Sequence, residues 1–98
     1  MALIQVTSQQ LRDKAAELRN QNSTVRNSID SLRSQESSLS GMWEGEARES
    51  FRSAFTTDIA KMTEFCSAIE QYAAALETIA AKYDEAEAKN TSTATSRI

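Results

Sequence analysis

The chain has 98 residues and a formal net charge of −3, with no histidine, no proline, one cysteine and two glycines. That length allows one domain; the lack of histidine removes the commonest general base and the common zinc ligand sets, and a lone thiol at Cys66 closes no internal disulfide. Lysine and arginine are dispersed among the acids, so no basic stripe exists to neutralise a phosphate backbone, and neither nucleic acid, a cofactor, a metal nor a small-molecule substrate is expected.

Met1 to Leu11 carry no side-chain charge, yet they lack a basic start, a continuous apolar core and a cleavage site, so no Sec-type signal is expected. No apolar run approaches the roughly 18 to 20 residues that span a bilayer. The first helix is predicted over about 8–40. It opens on Thr7-Ser8-Gln9-Gln10, a capping box in which the Thr7 hydroxyl and the Gln10 side chain satisfy each other's backbone donors, with Val6 and Leu11 at the staple positions.

Its inward positions then step by four and three: Leu11, Ala15, Leu18, Asn22, Val25, Ile29, Leu32, Glu36, Leu39. Asn22 and Glu36 interrupt this seam, either as polar residues that fix register or because the seam is wide and wet there. Arg12, Arg19, Arg26 and Arg33 recur every seven residues along one flank. The remaining surface is rich in Ser, Asn and Gln, mediocre helix formers, so packing must hold this helix.

Both glycines and the single tryptophan fall in Ser40-Gly41-Met42-Trp43-Glu44-Gly45-Glu46, which predicts a reversal over 41–45, with Gly41 just past the end of the first helix. The second helix is predicted over about 46–88, its positive end met by Glu44, Glu46 and Glu49. Its seam runs Phe51, Phe55, Asp58, Met62, Phe65, Ile69, Tyr72, Leu76, Ile79, Tyr83. Beside it lies a second heptad row, Ile59, Cys66, Ala73 and Ala80, and beyond that an acidic line, Glu49, Glu70, Glu77 and Asp84. Cys66 in that row is read as a small buried apolar group. Residues 89–98 lose all periodicity and read as a disordered tail.

Residues 1–88 thus make one all-α unit, a two-helix antiparallel hairpin with arms of about 50 and 65 Å. With the reversal at Trp43, residues whose numbers sum to about 86 should lie level, which sets Arg12 beside Glu70 and Glu77 and Arg33 near Glu49. Such a ladder fixes alignment more than it stabilises, since exposed ion pairs are individually weak. The second helix's apolar face is wider than one partner helix covers, so the hairpin is expected to pair into a four-helix bundle dimer, with an identical copy as the simplest partner. A seam residue set follows for hairpin or dimer: Leu18, Val25, Ile29, Leu32, Phe51, Phe55, Met62, Phe65, Ile69, Tyr72 and Leu76.

Trp43-Glu44-Gly45 between two heptad helices, extended as W-E-G-E-A-R-E-S-F, together with Tyr83-Asp84-Glu85-Ala86-Glu87 near the C-terminus, resembles the WXG-motif family of early-secreted-antigen-like proteins. The likeness runs from Thr7 to about Glu87. It implies a dimeric helical bundle, homodimer or paired with a second Trp-x-Gly chain, exported without a cleaved signal by a type VII secretion system and soluble in the cytoplasm before export. It also implies that Tyr83 and Glu87, as Tyr-x-x-x-Glu, form part of an export signal read by the machine's membrane ATPase. Tyr83 equally continues the second seam, and Trp43 reads first as a ring capping the reversal, with Gly45 letting the backbone pass. Export, a non-exported helical adaptor and a membrane-active hairpin are the competing functions. An enzyme is not expected, because a histidine-free helical rod offers no evident pocket.

Overall fold

The computed structural model describes residues 6–96, which form helix α1 (Ser8–Met42), a short connection and the antiparallel helix α2 (Glu46–Ser96). The capping box starts α1 where the sequence places it. Thr7 Oγ1 accepts from Gln10 N at 3.0 Å and Gln10 Oε1 accepts from Thr7 N at 2.9 Å, which satisfies two of the helix's orphan donors at once.

The reversal is tighter than the predicted 41–45. Gly41 is helical, and α1 ends one residue later at Met42, with Trp43 as its extended C-cap (φ −121°, ψ 128°). Gly45, with φ +115°, is the residue whose conformation demands glycine. It directly precedes α2, and its carbonyl accepts from Arg48 N at 3.1 Å. One glycine inside a helix costs only about 1 kcal/mol, an amount that packing absorbs, so Gly41 needs no turn of its own.

At the other end α2 continues through residues 89–96, correcting the expected stop near Ala88 and the disordered tail from Lys89. No glycine or proline lies between Glu46 and Ser96, and Ser, Thr and Asn each cost only tenths of a kcal/mol in a helix. Residues 97–98 of that predicted tail, like Met1–Gln5 of the predicted uncharged start, lie outside the described residues. The rod measures 81 × 22 × 22 Å.

The two helices meet along a row narrower than either predicted seam. Ala15, Asn22 and Ile29 of α1 are buried against Ile59, Cys66, Ala73 and Ala80 of α2. Ile29, Ile59 and Cys66 form one cluster with Phe55 packed on its edge. The second heptad row of α2 is therefore the row facing α1; of the α2 residues expected to form the hairpin or dimer seam, Phe55 packs on the edge of that row, and Phe51, Met62, Phe65, Ile69, Tyr72 and Leu76 lie outside it. Small side chains let the helix axes approach, and the larger ones are displaced to the side. Leu18, Phe55, Ile69 and Leu76 are half-buried there, whereas Val25, Leu32, Phe51, Met62, Phe65 and Tyr72 stay exposed.

Asn22, 5 % exposed, is the polar member of the buried row, and its Nδ2 donates to the Cys66 carbonyl across the interface at 2.9 Å. One end of the Asn22 amide is thus bonded across the interface, while its Oδ1 is buried without a hydrogen-bond partner among the described residues. Glu36, one heptad past Ile29, is half-buried, accepts from Ser40 Oγ at 2.7 Å and pairs with Arg52 at 3.3 Å.

The two glycines should respond oppositely to the same substitution. A Cβ at either position meets nothing within 4 Å, so backbone conformation alone decides. Gly45→Ala is expected to cost about 1–3 kcal/mol, and Gly41→Ala to stabilise by about 0.5–1 kcal/mol. Thermal melts of the two variants check this, and equal shifts of the same sign would contradict it.

Candidate functional site

The narrow contact row divides the rod into two unlike flanks. On α1 the arginine row lies three residues before each buried position and the leucine row three residues after, which at 100° per residue puts them on opposite sides of the contact. On α2 the acids and the aromatic rows divide in the same way. One flank of the hairpin is thus ionic and the other apolar.

On the ionic flank Arg12 pairs with Asp84 at 2.7 Å, and Arg19 pairs with both Glu70, at 2.9 Å, and Glu77. The expected partners were one step off: Arg12 belongs to Asp84, and Arg19 takes both glutamates. Two causes account for the shift. The connection centres on Glu44 rather than Trp43, so the contacts Asn22–Cys66 and Glu36–Arg52 have numbers summing to 88. Side chains on each helix also lean toward their own N-terminus, so an arginine of α1 reaches toward the open end to meet an acid leaning back from it. Arg33, expected near Glu49, makes no ion pair among the described residues; it lines a small cleft of about 150 Å³ with Arg26, Thr63 and Cys66. On α2 the acidic line is interrupted by Thr56 and Thr63, which leaves no carboxylate opposite this stretch.

Hydrogen bonds from Arg19 hold the Glu77 carboxyl below its ordinary value, and the Arg19 guanidinium is raised in return by Glu77 first and Glu70 second. Asp84 is likewise drawn down, by the Ser8 side chain and then by Arg12.

On the apolar flank Val25, Leu32 and Leu39 of α1 lie on the same side as Phe51, Met62, Phe65, Tyr72 and Ile79 of α2, each 38–61 % exposed. At the turn end Trp43 is half-buried and its ring lies 5.6 Å from Phe51, which stacks on Phe55 at 6.1 Å. Since Phe55 packs on the Ile29 cluster, Trp43 is joined to the buried row by a continuous aromatic path.

At the open end Tyr83, 48 % exposed, and Glu87 line one groove of about 370 Å³ with Val6, Thr7, Ser8, Ala86 and Asn90. The structure therefore brings Tyr83 and Glu87 together, one turn apart, and holds Trp43 and Gly45 together at the opposite pole. Sequence reading missed Val6, Thr7 and Ser8 as part of this groove. The capping box carried the signal, since it fixes the first turn of α1 level with the last predicted turns of α2. Among the described residues no group of His, Cys, Asp and Glu is arranged to hold a metal ion, and no helix is long and apolar enough to cross a membrane.

The fold and its two poles define a small helical hairpin protein of the Trp-x-Gly kind. Residues 3–88 match the WXG100 family, proteins of 100 residues with WXG; the chain belongs to that family, and so to the small helical proteins associated with type VII secretion. Among solved structures it is similar to the secreted protein EsxB of Bacillus anthracis strain Sterne. The selenomethionine form is 26 % identical with a TM-score of 0.78, the match covering 89 % of this chain and 99 % of that one. The wild-type form in space group P21 is 27 % identical with a TM-score of 0.77, covering 86 % and 97 %. EsxA of Geobacillus thermodenitrificans shares the fold at 20 % identity, with a TM-score of 0.77 over 91 % and 96 % of the two chains. No curated protein sequence matches the chain.

The ionic flank makes stability pH-dependent. Glu77 and Asp84 sit below their ordinary values of 4.5 and 3.8, so what they contribute is present above those values and lost as pH falls through the folded ones. Arg19→Gln should therefore lower the melting midpoint near pH 7 and converge on the unchanged chain near pH 2. A gap of equal size at both pH values in thermal melts would contradict the pairing.

Proposed function

We propose that the protein is an exported, non-enzymatic substrate, effector or escort of a type VII secretion system, that it travels as a folded helical dimer, and that Tyr83 and Glu87 are its export signal. Membership of WXG100 supports the class, and the secreted EsxB relatives support export. The observation that carries the signal is local. Tyr83 and Glu87 stand free on one face of α2, while Asp84 between them is engaged by Arg12. An exposed aromatic ring with a carboxylate one turn away that has no ion-pair partner among the described residues is what a protein pocket can grip.

The partner for the dimer is a second copy or another Trp-x-Gly chain, seated on the apolar flank. That flank carries the remaining predicted seam residues Val25, Leu32, Phe51, Met62, Phe65 and Tyr72, and their exposure in a single hairpin favours burial against another. The membrane ATPase is the reader of Tyr83 and Glu87, and Trp43 and Gly45 shape the far pole, where the C-terminal signal of a partner subunit would meet the turn. Localisation is then extracellular after passage from the cytoplasm.

Tyr83→Ala and Glu87→Ala separate this from a non-exported adaptor. Each is a surface change worth about 0.5 kcal/mol or less in the hairpin, so melting should hold while the exported fraction falls about tenfold or more. Exported and retained chain are measured by immunoblot of medium and cells, and normal export would remove both residues from the signal. Leakage from liposomes at neutral and acidic pH tests the membrane-active alternative, for which no leakage is expected.

A further inference from the structure

We propose that the open-end groove is a composite recognition surface in which Val6, at the leading edge of α1, faces Tyr83 and Glu87, and that it takes a protein segment bearing an apolar side chain beside a lysine or arginine. The inference rests on the export-signal reading and adds to it the partner's chemistry and a second wall.

Val6, Thr7 and Ser8 form one side of the groove and Tyr83, Ala86 and Glu87 the other. Val6, 40 % exposed, immediately precedes the Thr7 cap, whose reciprocal bonds with Gln10 hold this edge in place. An isopropyl group and a phenol ring, both half-accessible and sharing one cleft, make an apolar slot that a lone helix face would not provide.

Charge selects the occupant. Of the acids that follow Tyr83, Asp84 is paired with Arg12 at 2.7 Å, whereas Glu87, the acid that lines the groove, has no ion-pair partner among the described residues. Among the described residues the groove therefore holds one uncompensated negative charge, at the rim of an apolar slot. A cation next to an apolar anchor complements both, and a second carboxylate would be repelled.

The Arg12–Asp84 pair joins the two walls, since it links the second turn of α1 to the residue next to Tyr83. It is a positioning contact rather than a docking one.

The test measures export of the full chain from its producing cell, with Tyr83→Ala as reference. Val6→Leu keeps an apolar wall and should be exported like the unchanged protein. Val6→Lys sets a competing cation beside Glu87 and should lower the exported fraction about tenfold or more at an unchanged melting midpoint. If Val6→Lys is exported normally while Tyr83→Ala is not, the composite groove is wrong and the export-signal reading stands; if Tyr83→Ala is itself exported normally, both fall. Should Val6→Lys lower the melting midpoint, Val6→Asn, which removes the apolar wall without adding charge, decides by the same comparison.

Discussion

Two helices that meet along one narrow row bury only Ile29 and Ile59 of their large apolar side chains against each other among the described residues. Ala15, Cys66, Ala73 and Ala80 bring the axes of α1 and α2 together, and this closeness displaces the leucines, phenylalanines and tyrosines to one side and the arginines and acids to the other. The rest of the molecule follows from that division. Asn22 spans the row with a hydrogen bond to the Cys66 carbonyl, and Arg12 and Arg19 bridge the same two helices along the ionic flank. Exposed pairs of this kind add little stability individually, so their value lies in specifying one alignment among those the heptads allow.

The apolar flank is the cost of that arrangement and also its use. A hairpin holding its phenylalanines half in water is a poor final state on hydrophobic grounds, and the proposed second hairpin would turn that liability into an interface. The ends then carry what the flanks do not. At one pole Gly45 supplies the positive φ that lets the chain reverse in three residues, and Trp43 seals the reversal through Phe51 and Phe55. At the other, α2 outruns the start of α1 and presents Tyr83 and Glu87 against Val6.

Much of this was legible in the residues. Thr7 and Gln10 announced the start of α1, the four-and-three spacing announced two heptad helices, and Trp43 with Gly45 marked the reversal. What was not legible has physical reasons. Two adjacent rows of α2 share the same seven-residue period, so periodicity cannot say whether the Phe51 row or the Cys66 row faces α1; the row without aromatic rings, Ile59, Cys66, Ala73 and Ala80, is the one that does. Gly41 and Gly45 look alike as letters and differ only in φ. The ion pairs shifted by a step because side chains lean along their helices, a three-dimensional effect that residue numbering lacks. The end of α2 was misplaced because weak helix formers were taken to stop a helix that no glycine or proline interrupts. The motif at Tyr83 and Glu87 was readable, but its opposite wall, from a segment more than seventy residues away in the chain, was not.

The claim on which the rest turns is that the apolar flank is covered by a second hairpin. Sedimentation equilibrium of the full chain at micromolar concentration, alongside Phe65→Glu, measures it directly. The unchanged protein should sediment at twice its 10.8 kDa chain mass, and the variant, with a charge set into the exposed row, should shift toward the single-chain mass. A fully helical, cooperatively melting monomer for the unchanged chain would contradict it.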